Sequence, residues 1–265
     1  SNAADLCQPG YWRHPSRKLM LIIAALITFA LTTVLSMAGV GAAFVLIPVF
    51  LALGVELHSA MATALLLNAI GMSIASLTFV RKGLVAWRLV LPMLLVAVLA
   101  SPVGVHVGQG MDRSILLWLF VGFLVFASVM MLFYRPQPRT APTSPRAGML
   151  FGVPVGGITG FVGGLLGVGG GNIIVPALVA SGLEPKRASA SASFVVIFAS
   201  LSGFLAHVQV AELGTALLLA TGLATAAGAA LGAWLASEKL RADQLKRIIA
   251  LVLIAVAIKT AWGLL

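Results

Sequence analysis

The sequence predicts an all-α polytopic membrane protein made of two internal repeats, and three observations predict it. Hydrophobic residues make up 60% of the 265 residues and charged residues only 9%, with a mean hydropathy of +1.09. A soluble domain needs roughly 25% charged residues to cover its surface, so a water-soluble globule is excluded. Several apolar runs approach the length of about 20 residues that crosses the hydrocarbon core. Finally, the two halves of the chain align without gaps at an offset of 128 positions.

The elements follow in order. Residues 1–18 form an N-terminal tail, in which Ser1-Asn2-Ala3 resembles the remnant of a purification tag. No cleavable signal peptide is expected, because the first apolar run begins near Leu19 without a clear small-residue cleavage site. Cys7, the only cysteine, permits neither an intrachain disulfide nor a thiolate metal cluster. The first repeat, 19–134, carries long apolar runs at 19–37, 59–80, 88–108 and 114–134 and a short one at 43–53. The polar linker 135–147, with "RPQPRTAPTSPR", reads as a loop outside the membrane. The second repeat, 148–265, has runs at 148–166, 188–207, 213–236 and 247–264 and a short one at 172–181. Each repeat thus predicts four long helices and one half-length helix after a glycine-rich turn. At 1.5 Å per residue a short helix covers about 15 Å, roughly half of the hydrocarbon thickness.

The offset places "MAGVGAAFVLIPVFLALGVE" on "LLGVGGGNIIVPALVASGLE". Gly39, Gly41, Pro48, Gly54 and Glu56 fall on Gly167, Gly169, Pro176, Gly182 and Glu184, and Thr63 falls on Ser191. Loop charge tests their relative orientation, since Lys and Arg concentrate on the cytoplasmic side. The loop with Arg81, Lys82 and Arg88 matches an uncharged-by-base segment at 209–214, whereas 54–58 lacks Lys and Arg and its counterpart has Lys186 and Arg187. The bias reverses at each matched pair, so inverted repeats are the favoured arrangement. Residues 148–181 then form a hairpin that enters and leaves on one side. Arg13, Arg17 and Lys18 resist this reading. The parallel alternative puts the N-terminus inside and gives eight full spans.

The glycine loop "GLLGVGGGNIIVPAL" (164–178) fails as a nucleotide site. Asn172 stands where a dinucleotide fingerprint needs its third glycine, and no lysine follows as a P-loop requires. Close helix packing explains "GGITGFVGG" and "AAGAALGAW". The paired loops differ, because each precedes a half-length helix whose first N–H groups lack intrahelical partners and carry the positive end of the dipole. Such an end binds anions without a buried lysine. The candidate substrate-binding residues are therefore Gly39, Gly41, Thr63, Asn68, Gly167, Gly169, Gly170, Gly171, Asn172 and Ser191. Asn172 is read first as a helix cap, and Asn68 as either a ligand contact or an interhelical bond. Glu56 and Glu184 are candidates for proton coupling, against the plainer reading of solvated loop acids. His58, His106 and His207 sit near span ends, where interfacial placement is expected. No H-E-x-x-H or G-x-S-x-G motif occurs, so no enzyme, metal or cofactor is expected. The charge of +10 lies in short loops and acts as a topology signal rather than a nucleic-acid footprint.

With these residues in place the chain resembles the TauE/SafE family of sulfite and organosulfur anion exporters and permeases. The paired "GVGAAFVLIP" and "GVGGGNIIVP", the stretches "SAMATALL" and "RASASASF", and "RKGLVAWRLVLPMLLVAVLASPVGVHVG" carry the resemblance. It covers nearly all of the chain beyond residue 19. Ala42, Ala43, Ala64 and Ala192 depart from the family pattern, so the two copies contribute unequally to any site. The resemblance implies transport of a small sulfur-containing anion, such as sulfite, sulfoacetate or another sulfonate, across the bacterial inner membrane. The competing class is an anion channel or a membrane scaffold without transport. Oligomeric state, direction and coupling ion are not readable.

Overall fold

A computed structural model describes residues 17–38, 41–133, 145–207 and 215–238, and short pieces of helix between 251 and 262. Its helices are α1 (Arg17–Ala38), α2 (Ala43–Ala52), α3 (Leu57–Arg81), α4 (Trp87–Gln109), α5 (Arg113–Phe133), α6 (Pro145–Leu165), α7 (Gly171–Ala180), α8 (Pro185–His207) and α9 (Thr215–Glu238). No strand occurs among the described residues. Inside a bilayer the backbone must satisfy its own polar groups, which helices do within a single segment. Six described helices are long and apolar enough to cross: α3, α4, α8, and the cores of α5, α6 and α9. The half-length helices appear as α2 and α7, ten residues each.

The long helices α3 and α8 form the centre and run antiparallel. His58 at the start of α3 meets His207 at the end of α8 with ring centroids 6.1 Å apart. Near the other end, the Ala86 N–H, just beyond α3, donates to Ser191 Oγ early in α8 at 2.9 Å. Around this pair α4 packs on α6 and α1 packs on α9. Small residues make the α4–α6 contact close, as is usual where lipid supplies no hydrophobic drive between helices. A Cβ at Gly148 would touch Arg88, one at Gly156 would clash with Met93, and one at Gly164 with Ser101. This ordered sequence of contacts makes the two helices parallel. By the same reasoning α1 and α9 are parallel, since Gly228 abuts Phe29 and Gly232 abuts Thr33 and Ser36. Outward faces are apolar, with Leu99, Leu150 and Leu223 at least 73% exposed, as lipid contact requires.

These directions fix the chain path. Arg81, Lys82, Arg88, Lys186 and Arg187 lie exposed at one end of the bundle; Glu56, His58, Asp112, Arg113 and His207 mark the other. The α6–turn–α7 segment starts beside Arg88 and finishes at Leu183, which packs in one cluster with Val85 and Leu89. It enters and returns at the basic end. The α1–turn–α2 segment does so from the opposite end, because α1 parallels α9 and α2 leads into Glu56.

Candidate functional site

Each short helix begins without a side-chain cap. Ala42 is the N-cap of α2 and Gly170 that of α7. Asn172, read from the sequence first as a cap, does not cap: Gly170 takes that position with φ +76°, and Asn172 lies in the first turn instead. It is buried, and its Oδ1 has no hydrogen-bond partner.

The two glycine turns converge on one side chain. Asn68, in the middle of α3 and 2% exposed, accepts the Ala42 N–H on Oδ1 at 3.0 Å. Its Nδ2 donates to Ser200 Oγ on α8, also at 3.0 Å. Gly41 adopts φ +85°, a conformation nearly reserved for glycine, and a Cβ there would collide with Asn68 Oδ1. Gly169 has φ +73°, and a Cβ on it would lie 2.5 Å from Ser200 Oγ and 2.6 Å from Asn68 Nδ2. The sequence left Asn68 between a ligand contact and an interhelical bond; the bond is present, and it touches both turns.

The remaining candidates divide. Gly167 packs on Met61, Gly170 on Thr159, and residues 166–172 are all buried. Gly171 opens α7. Thr63 is buried on α3, about 7.5 Å before Asn68 along the axis. Ser191 stands nine residues from Ser200 on α8, about 13 Å away along the helix, and its hydroxyl binds the Ala86 N–H at the start of α4. The structure does not bring Ser191 to the glycine turns. Gly39 lies outside the described residues. Ser200 was missed in the sequence because its partner is 132 positions away, and as one of five serines on α8 it carried no local signal.

Neither acid reaches this centre. Glu184 is exposed before α8. Glu56 caps α3, its carboxylate accepting the Ser59 N–H at 3.0 Å. Partial burial raises its pKa, but the backbone N–H groups of His58 and Ser59 outweigh that and hold the carboxyl below the usual range. Among the described residues no group of His, Cys, Asp and Glu could hold a metal ion. A groove of about 700 Å³ between α5, α6 and α7, lined by Trp118, Phe126, Ile158 and Ile173 among others, has no charged or hydroxyl side chain. It suits lipid chains, not an anion.

Comparison with known proteins gives a consistent answer. A "Probable membrane transporter protein" of Haemophilus influenzae is 26% identical over 204 residues, covering 72% of this chain and 73% of the relative. The "Probable membrane transporter protein y4hK" of Sinorhizobium fredii is 26% identical over 206 residues, covering 76% and 81% respectively. A third, "Probable membrane transporter protein YunE" of Bacillus subtilis, is 39% identical over 57 residues, 21% of each chain. No solved structure matches. Residues 23–260 match the family described as sulfite exporter TauE/SafE, and with its bundle of apolar helices the chain belongs to that family of integral, multi-pass membrane transporters.

Proposed function

We propose that this protein carries a small sulfur-containing oxyanion, such as sulfite, sulfoacetate or another organosulfonate, across a bacterial inner membrane by alternating access. The observation that carries the reading is the convergence of both glycine turns on Asn68, with α2 and α7 starting there uncapped. Helix N-termini present N–H donors and a positive dipole end to an anion. The unpaired Oδ1 of buried Asn172 supports the reading, because this side chain is not engaged in capping its own helix. Gly41, Gly169, Gly170, Gly171, Asn68 and Asn172 would form the anion's surroundings, with Gly39, Gly167 and Thr63 supporting the turns. Ser191 acts from a distance, by fixing the start of α4.

The same proposal includes two inverted repeats. The matched pairings support it: under the 128-residue offset α4–α6 corresponds to α9–α1, and α4–α8 to α9–α3. The two hairpins entering from opposite ends also support it. Interfaces between such repeats are where transporters hold substrate. A driving proton would bind Glu56 or Glu184, both at aqueous ends.

Uptake of labelled sulfite and of a labelled sulfonate into proteoliposomes tests the reading. Wild-type protein is expected to move at least one of them, and Gly170→Leu, which must force a side chain against Thr159, is expected to move neither. If no anion moves under any ion gradient, the substrate assignment is wrong.

A further inference from the structure

Helical hydroxyls in this protein usually spend their proton on the carbonyl one turn back. Thr33, Ser73, Ser128, Thr159, Ser193 and Thr221 each donate to the residue four positions earlier at 2.7–2.8 Å. Five others have no such bond. Ser76 on α3 is one; the other four, Thr28, Thr32 and Ser36 on α1 and Thr225 on α9, are at most 1% exposed, and none of their oxygens has a hydrogen-bond partner.

These four belong to one place. Thr28, Thr32 and Ser36 recur at i, i+4 and i+8, so they share a face of α1. A Cβ at Gly71 of α3 would lie 3.2 Å from Thr225 Cγ2 and 3.6 Å from Thr32 Cγ2, and one at Gly232 of α9 would lie 3.2 Å from Ser36 Cβ. These side chains therefore sit at the seam where α1, α3 and α9 meet, with Thr28 on the same face of α1. Gly71 is one turn beyond Asn68 on α3, and Ser36 is just before the first glycine turn. The stripe, about 12 Å long at 1.5 Å per residue, runs along the second half of α1 toward that turn.

The matching positions in the second half make the contrast sharp. Thr28, Thr32 and Ser36 correspond to Gly156, Gly160 and Gly164, and Thr225 to Ala97. There α6 closes directly onto the backbone of Met93, Ala97 and Ser101. Both seams are closed by glycines, those of α6 in one and Gly228 and Gly232 of α9 in the other, but only the latter also carries four buried, unpaired hydroxyls. Unpaired buried hydroxyls cost about 1–3 kcal/mol each, and packing alone would have been served by the glycines used in the other seam.

We propose that the α1–α3–α9 seam is a second, hydroxyl-lined subsite that passes the oxyanion to the glycine turns. The choice of an anion over a cation follows from the hydrogens. A hydroxyl bonded back to its helix still offers lone pairs to a cation, whereas donation to an anion requires the proton to be free. Residues 19–38, 57–80 and 215–237 also contain no Asp or Glu, which a dehydrated cation would call for. The inference rests on the anion-transport reading, and the test separates the two.

In a Cys7→Ser background, Thr225→Cys is exposed to methanethiosulfonate ethylsulfonate, a small anionic thiol reagent, with and without excess ethanesulfonate. In parallel, transport of a labelled sulfonate is measured for the Thr32→Val/Thr225→Val pair and for Thr225→Ser, with melting temperatures to confirm folding. The thiol is expected to react and the sulfonate to slow the reaction about tenfold. The valine pair is expected to raise the half-saturating concentration about tenfold, the cost of one charge-assisted hydrogen bond, while Thr225→Ser keeps the wild-type value. A thiol that is unreactive in the folded protein, or reactive but unprotected, overturns the subsite. So does a valine pair with unchanged half-saturation. If wild-type protein moves no sulfonate yet the sulfonate protects the thiol, the transport reading fails and the subsite stands.

Discussion

At the scale of single residues Asn68 decides most. Its carboxamide satisfies a helix N-terminus with one atom and a hydroxyl of the facing central helix with another. Asn68→Ala leaves the Ala42 N–H and Ser200 without these partners in a buried site, each loss costing about 1–3 kcal/mol. The expected outcome is a lowered melting temperature in detergent together with at least a tenfold loss of anion uptake. A variant that melts earlier but transports at the wild-type rate would assign Asn68 to architecture alone. The dipole of α2 needs Asn68 for a further reason: with Ala42 as N-cap, nothing local can accept that N–H.

At the scale of elements, caps and breaks set where each helix stops. Glu56 supplies the missing acceptor for α3, and Glu56→Ala is expected to cost about 1 kcal/mol, the usual value of an N-cap. The pH dependence has a definite sign. Because the folded-state pKa lies below the unfolded one, the cap's contribution is present above the ordinary carboxylate range and is lost as pH falls through the folded value. Melting curves of wild type and Glu56→Ala should therefore differ at pH 7 and draw together as the pH falls below the ordinary carboxylate range. Elements were also the most readable feature of the sequence. Long apolar runs predicted α3, α4, α5 and α8 to within a few residues, and the glycine clusters predicted the turns, in which Gly41, Gly167, Gly169 and Gly170 adopt positive φ. What the sequence hid was pairing across distance. Nothing local reveals that Ser191 serves the start of α4 or that Ser200 meets Asn68. Asn172 misled because asparagine is a common cap, while the left-handed Gly170 already occupied the position.

At the scale of the whole molecule, Arg81, Lys82, Arg88, Lys186 and Arg187 lie exposed at one end, while the Glu56–His58–His207 end has Arg113 beside Asp112. On the proposed inverted arrangement, the positive-inside rule predicts that the basic end faces the cytoplasm. Single cysteines at Lys82 and Lys186, in a Cys7→Ser background, should label from the cytoplasmic side, and one at Asp112 from the opposite side. Labelling of Lys82→Cys and Lys186→Cys from different sides would overturn the inverted arrangement. The cross-pairing of α1 with α9 and α4 with α6 also bears on biogenesis. As the ribosome releases the chain, α2 finds α3 at once, but α1 lacks its main partner, α9, until the final third of the sequence is made. That first helix must wait in lipid with Thr28, Thr32 and Ser36 uncovered, so the two halves cannot mature one after the other: α9 completes α1.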